Sequence, residues 1–204
     1  FFEFDGTSDK VTVSPTSFNA ASELTVEGWI NKDNDSTFQT IISIRGSASI
    51  DTKLLVALNT DGTLRLDSAT ASGFVTLYSG SASYKTTVGK WHHVAASIDY
   101  TNKNWAFYLD GEKIANGTNN SIKGGSGFNI SSFGIGVNLN TQYFDGKIGQ
   151  VRTYTSILTL AQVRQNFNFT SSLYPNYFPG ILGAGSVGAK PAWNLGGYFQ
   201  FDGT

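Results

Sequence analysis

The sequence predicts an all-β fold, a two-sheet antiparallel sandwich of jelly-roll type with one short helix near residues 159–167. Three observations carry that expectation. Apolar and polar residues alternate in short runs, the period of a half-buried strand. Asp-Gly pairs starting at Asp61, Asp110 and Asp145 separate such runs. That dipeptide tolerates the positive φ angles of tight hairpins, which implies antiparallel pairing. One late segment has a helical period instead.

The elements follow in order. LTVEGWI (24–30) places Leu24, Val26, Gly28 and Ile30 on one face and Thr25, Glu27 and Trp29 on the other. TIISI (40–44), LLVAL (54–58), TLRL (63–66) and FVTLY (74–78) read as further strands. WHHVAASID (91–99), WAFYL (105–109), FGIGV (133–137) and KIGQVRTY (147–154) complete the set. NWAFYLDGEKIANG (104–117) is the clearest hairpin, and Trp29, Trp91 and Trp105 fall within strand motifs as core residues. In SILTLAQVRQNF (156–167), Leu160, Val163 and Phe167 recur at helical spacing, and Thr159 with Gln162 has the form of a capping box. So short a helix needs packing on the sheets to be stable.

Composition narrows the possible partners. Charged residues make up 14% of the chain, against roughly 25% in an average protein, so Ser, Thr, Asn and Gly must cover the surface. The formal net charge is −1, which supplies no basic field for nucleic acid or anionic lipid. There is no cysteine, hence neither a disulfide nor a thiolate metal site. No apolar run reaches membrane-spanning length. The chain starts at Phe1 and lacks methionine, which points to a mature or excised portion of something longer.

Residues 1–173 read as one domain, 174–197 as a Gly/Pro-rich linker or arm, and 198–204 as a repeat of the opening strand. The repeat is close: FFEFDGT at 1–7 returns as YFQFDGT at 198–204. A strand repeated after a linker is the pattern of a tandem array at its junction, or of a strand that pairs with a neighbouring copy. Burying Phe199 and Phe201 is worth roughly 3–6 kcal/mol against leaving them in water. Tyr198, Phe199 and Phe201 are therefore expected to meet a partner, with Phe178 and Trp193 anchoring the arm.

Five segments narrow the fold further: FEFDGTSDKVTV (2–13), LTVEGWI (24–30), GKWHHVAASID (89–99), WAFYLDGEKIANG (105–117) and FDGKIGQVRTYTSILTLAQVRQNF (144–167). Together, and in this order, they resemble the laminin-G-like, concanavalin A-like jelly-roll family. The resemblance implies a curved sandwich with the first strand beside KIGQVRTY. It also implies a binding role, toward glycans, other proteins or copies of the chain itself. LTLAQVRQNFNFTSSLYPN is similar to copies in structural and fibre proteins of phages and other viruses of aquatic microbes, so a virion or extracellular surface is the expected location.

Many family members hold a structural calcium between the first strand and a late Gly-x-Ile-Asp-Glu-Val motif. Here the motif reads Gly146-Lys147-Ile148-Gly149-Gln150-Val151, with Gly149 in the place of the ligand carboxylate. Asp5, Asp9 and Asp145 remain as oxygen ligands, but the central one is gone. The favoured reading makes Asp5 and Asp145 turn formers, and no cofactor is expected. His92 and His93, neighbours on a strand, point to opposite faces. One is expected half-buried with its ring hydrogen-bonded, the other in solvent.

Catalysis finds no support. Retaining glycoside hydrolysis needs two carboxylates about 5 Å apart in one cleft, and no run supplies Glu-x-Asp-x-x-Glu or a similar alternation. Sugar sites on sandwiches typically combine an exposed aromatic with amides on loops. Tyr143 with Asn138, Asn140 and Gln142 fits that description, and Tyr84 is a second candidate. The competing reading has Tyr143 packed over its loop base and the Asn residues forming turns. Two functions follow as expectations: a non-enzymatic assembly module of a repeated surface protein, or a lectin-like domain binding host-surface polysaccharide.

Overall fold

The structure, a computed structural model, describes residues 1–13, 21–46, 52–124 and 130–174. Within them two six-stranded antiparallel sheets face each other. The first sheet has the order β1 (Phe2–Asp5), β14 (Asp145–Tyr154), β3 (Glu23–Lys32), β8 (His92–Asp99), β9 (Asn104–Leu109), β10 (Glu112–Thr118). The second runs β2 (Val11–Val13), β11 (Ile130–Ile135), β4 (Gln39–Gly46), β5 (Thr52–Leu58), β6 (Leu64–Ala69), β7 (Phe74–Ser79). A two-stranded ribbon, β12 (Val137–Asn138) with β13 (Gln142–Tyr143), stands apart from both. This is the jelly-roll sandwich expected, with β1 beside β14 as the resemblance implied.

The alternation of each strand builds the core between the sheets. Leu24, Val26 and Ile30 of β3 meet Ile42 and Ile44 of β4, Leu54 and Val56 of β5, Val94 and Ile98 of β8, Phe107 and Ile148, all buried. The 104–117 hairpin forms, with Asp110 (φ 50°) and Gly111 (φ 79°) making its two-residue turn. FGIGV is not one strand. β11 ends at Ile135, the chain turns at Gly136, and β12 begins at Val137. The Gly136 N–H donates to Ile41 O and its carbonyl accepts from Phe144 N–H, which fixes the corner.

Strand β3 is buried on both faces because helix α1 (Leu160–Ser171) lies across the outside of the first sheet. The capping box at Thr159 and Gln162 is formed, and the helix runs four residues past its expected end at residue 167. Its last turn brings Phe167 and Thr170 onto Trp29. The Phe167 ring stacks on Trp29 at 5.6 Å, and Trp29 Nε1 donates to Thr170 Oγ1 at 2.8 Å. Tyr174 stacks on the same indole at 4.6 Å. Trp29 and Trp91 therefore belong to a second core beneath the helix rather than to the inter-sheet core, and Trp105 is half-buried against the latter.

A buried carboxylate sits in that second core. Glu27 accepts from Arg152 Nη1, Tyr154 Oη and Asn166 Nδ2, each at 3.0 Å. Burial alone would raise its carboxyl; the donors of His93, Arg152 and Asn166 outweigh it and hold it below the ordinary glutamate value. Neither histidine faces solvent. His93 lies buried between Trp29 and Phe167. His92 is half-buried, with Nδ1 2.8 Å from Asp110 Oδ2 and Nε2 accepting from Thr87 N–H at 3.0 Å. The expected solvent-facing ring is lost because α1 covers one face of β8 and the other face is turned to the inter-sheet core with Val94, Ala96 and Ile98, where the Thr87 N–H and Asp110 hold the His92 ring at the strand's start.

Candidate functional site

On the outer face of the second sheet the alternation leaves a polar floor. Val11 and Val13 of β2, Phe133 and Ile135 of β11, and Ile42 and Ile44 of β4 point inward. Thr12, Gly134, Ser43 and Arg45 consequently point outward. The register sets Thr12 opposite Gly134, Gly134 opposite Ser43, and Ser132 opposite Arg45. A bulge between Ile130 and Ser132 lets Ser131 and Ser132 both reach this face.

The β12–β13 ribbon folds back over that floor. Its seat needs a missing side chain: a Cβ on Gly134 would stand 2.9 Å from Ser43 Oγ and from Val137 O. In this close approach Ser43 Oγ donates to Val137 O at 2.7 Å, and Arg45 Nη1 donates to Asn138 Oδ1 at 3.0 Å. Asn138 Nδ2 in turn donates to Gln142 Oε1 at 2.6 Å. The connecting turn holds two non-glycine residues in the left-handed region, Leu139 (φ 56°) and Asn140 (φ 54°). Such conformations cost on the order of 1–2 kcal/mol for a residue like leucine and concentrate at binding sites. Lys10 Nζ closes the other side by donating to Asn140 Oδ1 at 2.7 Å.

Between ribbon and sheet lies a cavity of about 390 Å³, whose walls include Lys10, Thr12, Ser43, Arg45, Ser132 and Asn140. Hydroxyls, an amide and two cations line it, and among the described residues no Asp or Glu does. Leu139 and Val137 add an apolar edge.

The residues singled out in the sequence are divided by this geometry. Asn140 lines the cavity. Asn138 is buried, its amide spent on Arg45 and Gln142, so it supports the wall. Gln142 and Tyr143 are half-buried on β13, and neither lines the cavity. Tyr84 is exposed in a short 3₁₀ turn between β7 and β8, also away from it. Lys10, Ser43 and Arg45 were not anticipated. Their only sequence signal is an outward position on a strand or its flank, which many residues share. Phe178, Trp193, Tyr198, Phe199 and Phe201 lie outside the described residues.

The carboxylates weighed for calcium are engaged elsewhere. Asp5 accepts from the backbone N–H groups of Thr7, Ser8 and Asp9 and from the Thr7 and Ser8 hydroxyls. Those backbone and hydroxyl donors hold its carboxyl well below the usual carboxylate range. Asp9 Oδ2 accepts from the Asp5 N–H, and Asp145 Oδ2 from Asn34 Nδ2. Gly149 has a packing role: a Cβ there would stand 2.5 Å from the Tyr174 ring and its hydroxyl oxygen. Among the described residues, no three His, Cys, Asp or Glu side chains are placed to hold a metal ion.

Comparison with known proteins agrees with this architecture. A family model described as the concanavalin A-like lectin/glucanases superfamily matches residues 5–164. No curated protein matches the chain in sequence. Among solved structures, the carbohydrate-binding module CBM40 of the Ruminococcus gnavus IT-sialidase superposes with a TM-score of 0.65 at 15% identity, over 81% of this chain and 97% of that one. A heptameric SAP-like pentraxin from Limulus polyphemus gives 0.59 at 18% identity, over 79% and 78%. Domain 4 of AbnA, an extracellular arabinanase from Geobacillus stearothermophilus solved with arabinotriose, gives 0.57 at 23% identity, over 79% and 85%.

Proposed function

The chain belongs to the concanavalin A-like lectin/glucanase superfamily, and from that membership we propose that it is a non-catalytic, lectin-like domain that binds carbohydrate in the outer-face groove. The observation that carries this reading is the groove itself. It is a cavity of about 390 Å³ walled by hydroxyl, amide and cationic side chains, within the usual size of ligand sites, about 300–1,000 Å³. Sugar-bound neighbours of the same fold, CBM40 with sialyllactose and AbnA domain 4 with arabinotriose, support the assignment. Hydrolysis would need two carboxyl groups across the bound sugar, and no Asp or Glu is among the described residues that line the groove.

Screening the full chain on a glycan array, followed by titration calorimetry of the hits, tests this. Thr12→Trp puts a large ring into the groove from an exposed position on β2 and is expected to abolish binding while the melting temperature stays unchanged. Tyr143→Ala is expected to leave binding intact. Loss through Tyr143 alone would move the site to the other side of the ribbon. Absence of any bound glycan would end the reading.

A second role is favoured by one observation: residues 198–204 repeat the side chains that β1 uses. Phe4 is buried at 3% exposure, Asp5 ties the turn after the strand, and Gly6 has φ 72°; Phe201, Asp202 and Gly203 match them in order. The domain would then also assemble with further copies in a repeated surface or fibre protein outside the cell, the copied strand standing where β1 stands against β14. Sedimentation of the full chain should reveal concentration-dependent association that Phe201→Asp removes. A wild-type chain that stays monomeric throughout contradicts this role.

A further inference from the structure

We infer that the outer-face groove takes sugars that carry a methyl group, on an acetamido arm or at a deoxy carbon, and that Leu139 is the residue that reads it; this rests on the groove being a sugar site. The walls of the groove are chemically two-sided. Thr12, Ser43, Ser132 and Asn140 supply hydroxyls and an amide, whereas Val137 and Leu139 supply branched aliphatic side chains along the ribbon. Ser43 Oγ donates to the Val137 carbonyl at 2.7 Å, and Tyr143 pairs with Val137 across the ribbon. The apolar edge therefore has a fixed place over the polar floor.

Leu139 holds that place against its own preference. Its φ is 56°, in the left-handed region, where glycine and asparagine are tolerated and the Cβ of a leucine crowds the following carbonyl. Asn140, at φ 54°, is one of the tolerated types, and its side chain accepts from Lys10. Leucine can form no such local bond, and at 54% exposure it leaves much of the gain from burial unrealised. A ligand that covers the leucine completes that burial, and shape decides which ligand can. The C–H face of a sugar ring packs best on a flat aromatic ring, and among the described residues no aromatic side chain lines the groove. The branched side chains of Leu139 and Val137 suit a small apolar knob instead, and a methyl group is the apolar substituent that sugars carry. The acetamido carbonyl or ring hydroxyls beside it would meet the hydroxyls of Thr12, Ser43 and Ser132, which donate or accept.

Titration of the full chain with two matched sugar pairs tests this. N-acetylglucosamine and N-formylglucosamine differ only by the acetamido methyl, and L-fucose and L-galactose only by the hydroxyl on the exocyclic carbon. In at least one pair the methyl-bearing member is expected to bind about fourfold or more tightly, the worth of one buried methyl group. The pair that discriminates identifies which methyl is read, and hits on the glycan array are expected to carry it. Asparagine tolerates the φ of this position, so Leu139→Asn should melt no lower than wild type while the preference disappears, and Leu139→Met should keep the preference. Equal binding within both pairs, a preference untouched by Leu139→Asn, or array hits confined to glycans without a methyl group overturns the inference and leaves carbohydrate binding standing. A marked fall in the melting temperature of Leu139→Asn would show that the leucine serves the fold, and overturns it as well. No binding to any sugar in these pairs or on the array overturns both.

Discussion

At Gly149 the ring of Tyr174 takes the space that a side chain would need, and the tyrosine hydroxyl accepts from the Gln150 N–H at 2.7 Å. The same ring stacks on Trp29 and packs on Trp91 at 4.7 Å. The glycine is thus part of the second core, which explains why a carboxylate is missing from this position. Gly149→Ala is expected to cost roughly 1–3 kcal/mol, the usual penalty for overpacking a filled site, read as a lower melting temperature. Combined with Tyr174→Ala, the loss should be less than the sum of the two single changes; strict additivity would show that the ring is not what Gly149 accommodates. Some residue roles are readable without coordinates. Asp5 ahead of Gly6 reads as a turn former from local chemistry, and the structure adds five donors to its carboxylate. Asn138 is different, because its partner Arg45 lies 93 residues away, and no local pattern reports a contact across that span.

Local signals locate whole elements better than they locate single contacts. Thr159 and Gln162 announce the start of α1, and the Asp110–Gly111 pair announces the β9–β10 turn, because both motifs act within a few residues. The end of α1 is less legible: Thr170 is held by Trp29 Nε1, a tertiary bond that extends the helix beyond its apolar spacing. The break between β11 and β12 is likewise invisible in FGIGV, whose alternation runs straight through the corner. Strand β1 is short, and the Asp5 turn that closes it makes its end sensitive to pH. The folded carboxyl is depressed below its unfolded value, so its stabilisation is complete above the unfolded carboxylate range, about pH 4, and fades as pH falls toward the folded value. The gap in melting temperature between wild type and Asp5→Ala should accordingly be full at pH 6 and narrower at pH 3. A gap of constant size across that range would mean the charge is not what holds the turn.

Across the whole molecule the two sheets use their outer faces differently. The first is sealed by α1, with Trp29, Phe167 and Tyr174 packed beneath it and Glu27 fully hydrogen-bonded. The second keeps a polar groove under the β12–β13 ribbon. The sandwich itself is legible from strand periodicity and from ordered motifs shared with a family. The groove is not, because periodicity says which residues face outward and nothing about what folds over them. Its floor comes from β2, β4 and β11, whose inward residues are locked into the inter-sheet core, while its rim comes from a ribbon of seven residues, 137–143. Floor and rim answer to separate constraints. Turn residues such as Leu139, Asn140 and Thr141 are exposed and can be exchanged by directed mutagenesis with the frame preserved, so the rim of the groove is free to vary while its floor stays fixed.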